Sequence, residues 1–282
     1  MNTLLTILSL LSLGDVSAAE NVVVKGLQGL GETRYHRIES AALQRGYDIL
    51  VGLPESYAYD RDRNYPTIYI LDGGELYPLL RAYYNYLRNS DEVPESILIA
   101  ISYGARDFAA GNTRGHDFTA PSAERDYWGG AANFQSFLDS ELLPFVEQQY
   151  RSDRQQRILF GQSLGGQFVL FSAQTRPSLF WGHIASNPAL HRNLGFFLEA
   201  RATVPGDGPR PRLFVGSGSD DDAEFRLPAL QWIDRWTGAA DAPWDLQAVT
   251  LAGHTHFSAP PAAFRQGMRW LFAPGPQEQS SP

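Results

Sequence analysis

A serine between two glycines is the feature of this sequence that points most directly to chemistry. The segment Gly161-Gln162-Ser163-Leu164-Gly165 follows the mostly apolar run 157–160 and leads into the apolar run 168–171. Where a strand turns sharply into a helix at a serine, the residues two positions before and after it must be small, because larger side chains would collide at the bend. We therefore predict a nucleophile elbow, with the Ser163 hydroxyl exposed at the carboxyl edge of a sheet and directed at a substrate.

Two histidines could supply the base that such a serine needs. A serine hydroxyl is a poor nucleophile at neutral pH, so a base must lie within hydrogen-bond reach and a third group must orient that base. His254 and His256 follow an apolar run and precede the last helical pattern of the chain. Their spacing lets only one of them face the serine if the segment is extended. We predict that His256 is the base and that His254 has a structural role.

The same two histidines could instead ligate a metal ion. Two imidazoles two positions apart on a strand can reach one ion. No third and fourth ligand with metal-like spacing lies nearby in the sequence, and the chain has no cysteine. We therefore predict neither a metal nor any other cofactor.

The acid that orients the base should follow the predicted strand 212–215. Four carboxylates lie in the loop after this strand, and sequence spacing alone does not choose among them. We expect one of them to be the acid and the rest to belong to a solvated loop or a helix amino terminus, where negative charge is favoured. These candidates are Asp220, Asp221, Asp222 and Glu224.

Two backbone amides are candidates for the oxyanion hole. One belongs to Leu164, the residue after the nucleophile, and the other comes from the turn Asp72-Gly73-Gly74 after an early predicted strand. Glycine lets the backbone approach a substrate closely, so we assign the second donor to Gly74. A simple turn would explain the same glycines.

The remaining periodicity predicts an α/β fold. Alternating patterns predict two antiparallel strands at 35–40 and 47–53, and later strands alternate with helices, which favours a mostly parallel sheet covered on both faces. Residues 103–130 lack periodicity, and a loop of that length in a compact domain usually has a function. The later strands are expected at 67–71, 96–102, 157–160, 182–186, 213–215 and 246–251, with helices near 79–87, 134–150, 226–237 and 262–272.

Composition narrows the class of protein. The 282-residue chain has a net charge of −8, and without a basic stripe to neutralise phosphates we expect no nucleic-acid partner. The absence of cysteine excludes disulfides and thiol catalysis. Because α/β folds with large sheets often use about 200–250 residues as one unit, we predict a single domain over 19–273 and a flexible tail over 274–282.

The amino terminus resembles a secretory signal peptide. Residues 4–13 are apolar, and the small residues 16–18 precede Ala19, although residues 1–3 carry no Lys or Arg. The apolar stretch is too short to span a bilayer. We predict removal of residues 1–18, a periplasmic or secreted protein, and no stable membrane insertion afterwards. The alternative is a buried or frayed amino-terminal helix.

Several ordered blocks of sequence resemble one family. The chain is similar to the family named "Putative esterase", a group of α/β-hydrolases that includes esterase D, siderophore (enterobactin-type) esterases, feruloyl esterases and the mycolyltransferase antigens. The resemblance covers nearly the whole chain after the signal and implies an α/β-hydrolase fold with a mostly parallel central sheet and helices on both faces. The blocks that carry it are 38–42, 52–57, 65–73, 114–121, 137–144, 161–166, 186–190, 256–258 and 267–272.

The resemblance also implies roles for individual residues. Ser163 becomes the nucleophile, His256 the base, and the amides of Gly74 and Leu164 the oxyanion donors. The family's acid lies three residues after the glycine that ends its strand, which from Gly218 gives Asp221. Counting from Gly216 gives a serine instead, so the other three carboxylates stay open. Asn187 departs from the serine of many relatives, and we expect little catalytic consequence.

The family resemblance implies a small-molecule ester substrate, hydrolysed without a cofactor. Arg106 and Arg114 could receive an anionic substrate such as a catecholate siderophore, or could pair with neighbouring acids. Aromatic residues could line an acyl or aryl pocket or merely bury a cap. Two other classes are an acyltransferase with the same triad and a non-catalytic binding protein of the same fold. The aromatic candidates are Tyr103, Phe118, Trp128, Phe196 and Phe197.

Overall fold

The structure is a computed structural model that describes residues 20–21, 27–199 and 210–273. The predicted signal peptide, residues 1–18, and the predicted tail, residues 274–282, lie outside the described residues. Both stay predictions, as does the periplasmic or secreted location that depends on the signal.

A nine-stranded sheet forms the centre of the described chain, in the order β1-β2-β3-β5-β4-β6-β7-β8-β9. Its two edge strands are β1 and β9. The strands are β1 (Glu20–Asn21), β2 (Thr33–Ser40), β3 (Arg45–Gly52), β4 (Tyr65–Ile70), β5 (Ile97–Ser102), β6 (Ser152–Gln162), β7 (Gly182–Ser186), β8 (Arg212–Gly218) and β9 (Asp245–Leu251).

The pairing of neighbouring strands changes once across this sheet, from antiparallel to parallel. Strands β4 to β9 run parallel to one another, whereas β1, β2 and β3 pair antiparallel, and β3 joins the parallel part through an antiparallel pairing with β5. The central strands β4 and β7 are buried along their whole length, which explains their near-continuous apolar sequences. The predicted antiparallel pair and the mostly parallel sheet are therefore confirmed.

Helices cover both faces of the sheet, as predicted. Helices α1 and α8 pack on one face through Leu80, Tyr84, Phe264 and Met268, and helices α3, α4, α5 and α7 pack on the other. The helices are α1 (Gly73–Asn89), α2 (Arg114–Asp117), α3 (Ala131–Phe137), α4 (Leu143–Gln149), α5 (Leu164–Thr175), α6 (Leu194–Leu198), α7 (Ala223–Trp236) and α8 (Pro260–Leu271).

The helix predicted over 134–150 differs from the expectation. It consists of α3 and α4 joined by a π-helical turn over Leu138–Leu142. Pro144 has no backbone N–H, so the carbonyl of Ser140 cannot receive the regular bond from four residues later. A local widening of the helix at this point is consistent with that missing donor.

Among the described residues, no helix combines the length and apolar character needed to cross a bilayer.

Candidate active site

Ser163 occupies a sharp turn between β6 and α5. Its φ of 59° and ψ of −116° lie outside the regions that a residue with a side chain usually adopts. A Cβ at Gly161 would lie 2.3 Å from the carbonyl of Gly165, so the bend requires glycine at position 161. The predicted strand–turn–helix is present, and its strained turn leaves the Ser163 side chain half-buried.

The two predicted oxyanion donors lie at helix amino termini. Leu164 is the first residue of α5, and Gly74 is the second residue of α1. Backbone N–H groups in a first helical turn have no partner within the helix and favour negative charge. A Cβ at Gly73 would lie 2.8 Å from the amide nitrogen of Ile101, so close packing of α1 against β5 requires this glycine.

Asp72, which precedes these glycines, forms a bidentate ion pair with Arg114. The Nε of Arg114 donates to Oδ1 at 2.6 Å, and its Nη2 donates to Oδ2 at 2.9 Å. Burial alone would lower the pKa of Arg114, but the Asp72 carboxylate outweighs it and raises that pKa. A Cβ at Gly165 would lie 3.3 Å from Asp72 Oδ2, so the pair also borders the start of α5. Of the two expectations for Arg114, pairing with a neighbouring acid is the one confirmed.

A cavity of about 560 Å³ lies beside this ion pair. Its lining includes Gly74, Ser102, Tyr103 and Arg106. Arg106 is exposed and forms no ion pair with any described residue. It is therefore the cation of this cavity that is available to a ligand.

One carboxylate of the acidic loop contacts His256. The Nδ1 of His256 lies 3.0 Å from Oδ2 and 3.2 Å from Oδ1 of Asp221, and both side chains are buried. The backbone N–H of Asp222 donates to Oδ1 of Asp221 at 2.8 Å and so fixes the carboxylate. An Nδ1–H donated to Asp221 leaves Nε2 of His256 free to accept a proton.

The other three carboxylates have different surroundings. Asp220 accepts a hydrogen bond from the Ser219 hydroxyl at 2.7 Å, and Asp222 lies at the amino terminus of α7. Glu224 lies 3.5 Å from the guanidinium of Arg192. These three carboxylates thus occupy loop or helix-terminus positions, and Asp221 is the one that contacts His256.

The imidazole of His254 bonds within its own loop. Its Nδ1 lies 3.0 Å from the carbonyl oxygen of Ser258. Gly218 lets this loop approach β8, because a Cβ there would lie 2.3 Å from the carbonyl oxygen of His254. The structure thus places the imidazole of His256 against Asp221 and bonds that of His254 within the loop.

Two neighbours of His256 were not found by sequence reasoning. The Nε2 of Gln162 donates to the carbonyl oxygen of His256 at 2.7 Å, which ties the base loop to the residue before Ser163. The ring of Phe225 stacks at a tilt against the imidazole, with centroids 4.5 Å apart. The position of Gln162 inside the elbow motif was the only feature of the sequence that could have pointed to its contact with His256.

Most of the predicted pocket aromatics belong to the core. Phe118 and Phe197 are fully buried, and Tyr103 and Trp128 nearly so. Phe196 stacks on Phe171 with ring centroids 5.7 Å apart. Tyr103 is the one of the five that also lines the cavity beside Gly74.

No metal site is formed within residues 27–199 and 210–273, since no three His, Asp or Glu side chains there converge in a geometry that could hold an ion.

Comparison with known proteins places the chain in a family. Residues 40–252 match the family model described as "Putative esterase". The chain is 29% identical to the ferri-bacillibactin esterase BesA of Bacillus subtilis over 86% of this chain and 90% of that protein. It is also 29% identical to the siderophore enterobactin esterase of Emericella nidulans, over 69% of this chain and 73% of that protein.

Solved structures agree on the fold. An IroE-like serine hydrolase from Shewanella oneidensis superimposes with a TM-score of 0.72 at 22% identity, covering 86% of this chain and 80% of that one. The chain therefore belongs to this esterase family and has the α/β-hydrolase fold. It is a carboxylic ester hydrolase.

Proposed function

We propose that this protein is a serine esterase that works through an acyl-enzyme on Ser163. His256 is the general base, Asp221 orients it, and the amides of Leu164 and Gly74 bind the oxyanion. The observation that carries the proposal is the contact between His256 Nδ1 and Asp221 Oδ2, in a loop that Gln162 ties to the nucleophile elbow. A carboxylate, a histidine and an elbow serine are the three parts that a catalytic triad requires.

The first half-reaction forms the acyl-enzyme. Ser163 Oγ attacks the ester carbonyl carbon while Nε2 of His256 takes the hydroxyl proton, and the carbonyl oxygen becomes an oxyanion held by two amides. The tetrahedral intermediate collapses, the bond to the alkoxide breaks, and His256 gives its proton to that leaving oxygen. Asp221 stabilises the imidazolium between these two transfers.

The second half-reaction releases the acid. His256 removes a proton from water, the resulting hydroxide attacks the acyl carbon, and Ser163 leaves with the proton returned by His256. The same two amides hold the second oxyanion. No step needs a metal or a cofactor.

We further propose a siderophore-type ester as the substrate. Two of the relatives named above are a ferri-bacillibactin esterase and a siderophore enterobactin esterase. The cavity beside Gly74 has room for a bulky substrate, and Arg106, which is exposed and pairs with no acid of the described residues, gives it a cation that suits an anionic group. A catecholate ester carries both the bulk and the negative charge.

The proposal is tested by covalent labelling together with turnover. An organophosphonate should add one adduct to Ser163, located by mass spectrometry of the digested protein, and Ser163→Ala should lose both the adduct and hydrolysis of p-nitrophenyl esters. A chelator should leave the rate unchanged. Strong inhibition by a chelator that added zinc reverses would contradict the proposed mechanism.

Substrate class needs a second measurement. Hydrolysis of a catecholate trilactone should proceed with a higher kcat/KM than that of a neutral p-nitrophenyl ester. Transfer of the acyl group to an added alcohol in preference to water would instead identify an acyltransferase. Labelling without any turnover would favour a binding protein that has kept a reactive serine.

A further inference from the structure

Asn187 lies where the end of β7 meets the end of β8 and the loop that carries His256. Its side chain is 2% exposed. The carboxamide Oδ1 accepts a hydrogen bond from the backbone N–H of Gly218 at 2.7 Å. The Nδ2 donates to the carbonyl oxygens of Thr255 at 3.2 Å and His256 at 3.4 Å.

These hydrogen bonds connect the segment that leads to Asp221 with the loop that carries His256. Gly218 ends the strand that leads to Asp221, and the carbonyl of His256 also receives the bond from Gln162. The backbone N–H of Asn187 donates to the carbonyl of Gly216 at 2.8 Å. One carboxamide therefore bridges the loop of the acid and the loop of the base, next to the elbow.

The backbone conformation of Asn187 explains only part of these observations. Asn187 has a φ of 39°, and asparagine tolerates positive φ better than most residues with a side chain. That preference explains the backbone but not why all three side-chain bonds go to the two catalytic loops. A serine at this position would offer one hydroxyl and one donor hydrogen, so it could not serve all three partners at once.

We propose that Asn187 is a positioning residue that fixes the His256 backbone against the loop of Asp221, and through it the imidazole against Ser163. This inference rests on the proposed function of His256. It replaces the expectation that asparagine at this position has little catalytic consequence.

Three variants separate the hydrogen bonds from the backbone conformation. Asn187→Gly accepts the positive φ but removes every side-chain bond. Asn187→Asp keeps the acceptor for Gly218 and turns the donor into an oxygen that faces two carbonyls. Asn187→Ser keeps one hydroxyl. The matched control is Asn193→Asp, because Asn193 follows the same strand and its Nδ2 also donates to a carbonyl, that of Ala120, and to Oε1 of Gln167 rather than to the loop of His256.

Two readouts are measured on variants whose circular dichroism matches wild type. For p-nitrophenyl butyrate hydrolysis, kcat should fall about tenfold to a hundredfold in Asn187→Gly and Asn187→Asp, with KM within about twofold, since small misplacements of a catalytic group cost this much. Asn187→Ser should lie between them and wild type. Asn193→Asp should keep kcat within about twofold.

The second readout does not depend on turnover. The ¹⁵N shifts of the His256 ring report which nitrogen carries the proton, and wild type should show the Nδ1–H form bonded to Asp221. The Asn187→Gly variant should lose part of that form. Folded Asn187→Gly protein with a wild-type tautomer and wild-type kcat would overturn the inference while leaving the esterase intact. A wild type without ester hydrolysis would overturn the proposed function, and the tautomer would still decide the role of Asn187.

Discussion

Asp221 and His256 are 35 residues apart in the sequence, and in the fold the carboxylate Oδ2 of one lies 3.0 Å from the imidazole Nδ1 of the other. The contact is possible because β8 and β9 are parallel neighbours, so the loops that follow them leave the sheet at the same edge. Both side chains are buried, which strengthens their interaction relative to one in water.

Asp221→Asn tests the acid directly. The variant should lower kcat by about 10³–10⁴-fold with a much smaller effect on KM, because the amide no longer fixes the tautomer or stabilises the imidazolium. Asp220→Asn, Asp222→Asn and Glu224→Gln are the matched controls and should stay within about threefold of wild type. Steady-state hydrolysis of a p-nitrophenyl ester measures all four. A collapse in one of the controls would transfer the role to that residue, and no collapse at all would indicate a Ser-His dyad.

The two histidines should respond differently to the same substitution. His256→Ala should reduce kcat by orders of magnitude, because Ser163 loses its general base, whereas His254→Ala should lose far less. Circular dichroism checks that both variants are folded. Equal losses in two folded variants would mean that the base is not assigned correctly within this loop.

Local patterns predicted the sheet better than they predicted the contacts at its edge. The apolar run before Ser163 and the glycines around it contain their own geometric information, so the strand, the bend and helix α5 could be predicted. The choice among four carboxylates could not be made from spacing, because the turn after Gly218, over residues 219–220, decides which side chain faces inward. The family resemblance favoured Asp221, the residue that the structure places beside His256. The bonds of Gln162 and Asn187 to His256 join segments that are far apart in the chain, and no periodic pattern encodes them.

Arg106 should matter for charged substrates alone. Arg106→Ala should raise KM about tenfold or more for a catecholate or carboxylated ester, because charge-assisted hydrogen bonds are among the stronger polar contacts. It should leave KM for p-nitrophenyl acetate within about twofold. Arg61→Ala, which removes an exposed arginine before β4 and hence at the opposite edge of the sheet, is the control. An equal effect on charged and neutral esters would mean that Arg106 does not recognise the charge of the substrate.

The Asp72–Arg114 ion pair should stabilise the folded protein more than the partial exposure of its side chains suggests. Arg114→Met leaves the Asp72 carboxylate without its cation beside α1 and α5, and we expect a loss of about 1–3 kcal/mol in the free energy of unfolding. The double variant Asp72→Asn with Arg114→Met removes that stranded charge and should recover part of the loss. Urea unfolding of the two variants measures the difference, and a double variant less stable than Arg114→Met would contradict the argument.

The kcat of Arg114→Met should also fall, because Asp72 precedes the predicted oxyanion donor.

His183 should make the protein sensitive to acid. It is fully buried in β7, and burial lowers its pKa to about 3, opposed by a weak contact with the backbone of Arg212. Between about pH 6.5 and pH 3 the unfolded chain binds a proton that the folded chain does not, so stability falls as the pH falls through this window. The slope from this group approaches about 1.4 kcal/mol per pH unit.

His183→Leu should flatten that slope. Urea unfolding at pH 7.5 and pH 5.5 gives the two free energies for each protein, and the difference between them should shrink in the variant. Ile184→Val, in the same strand, changes packing without changing a titrating group and should keep the wild-type slope. Identical slopes in wild type and His183→Leu would show that another group controls acid sensitivity.

A buried carboxylate fastens the middle of the region between β5 and α3. The buried carboxylate of Asp117 accepts hydrogen bonds from Tyr47, Tyr103 and Thr113 and pairs with Arg45 at 2.8 Å. The exposed stretch 106–111 lies outside this anchor, so its length and composition can vary without detaching residues 113–117 from the sheet. Substitutions in that stretch can therefore change the wall of the cavity that Arg106 lines, and with it the ester that fits there, while the strand ends stay as they are.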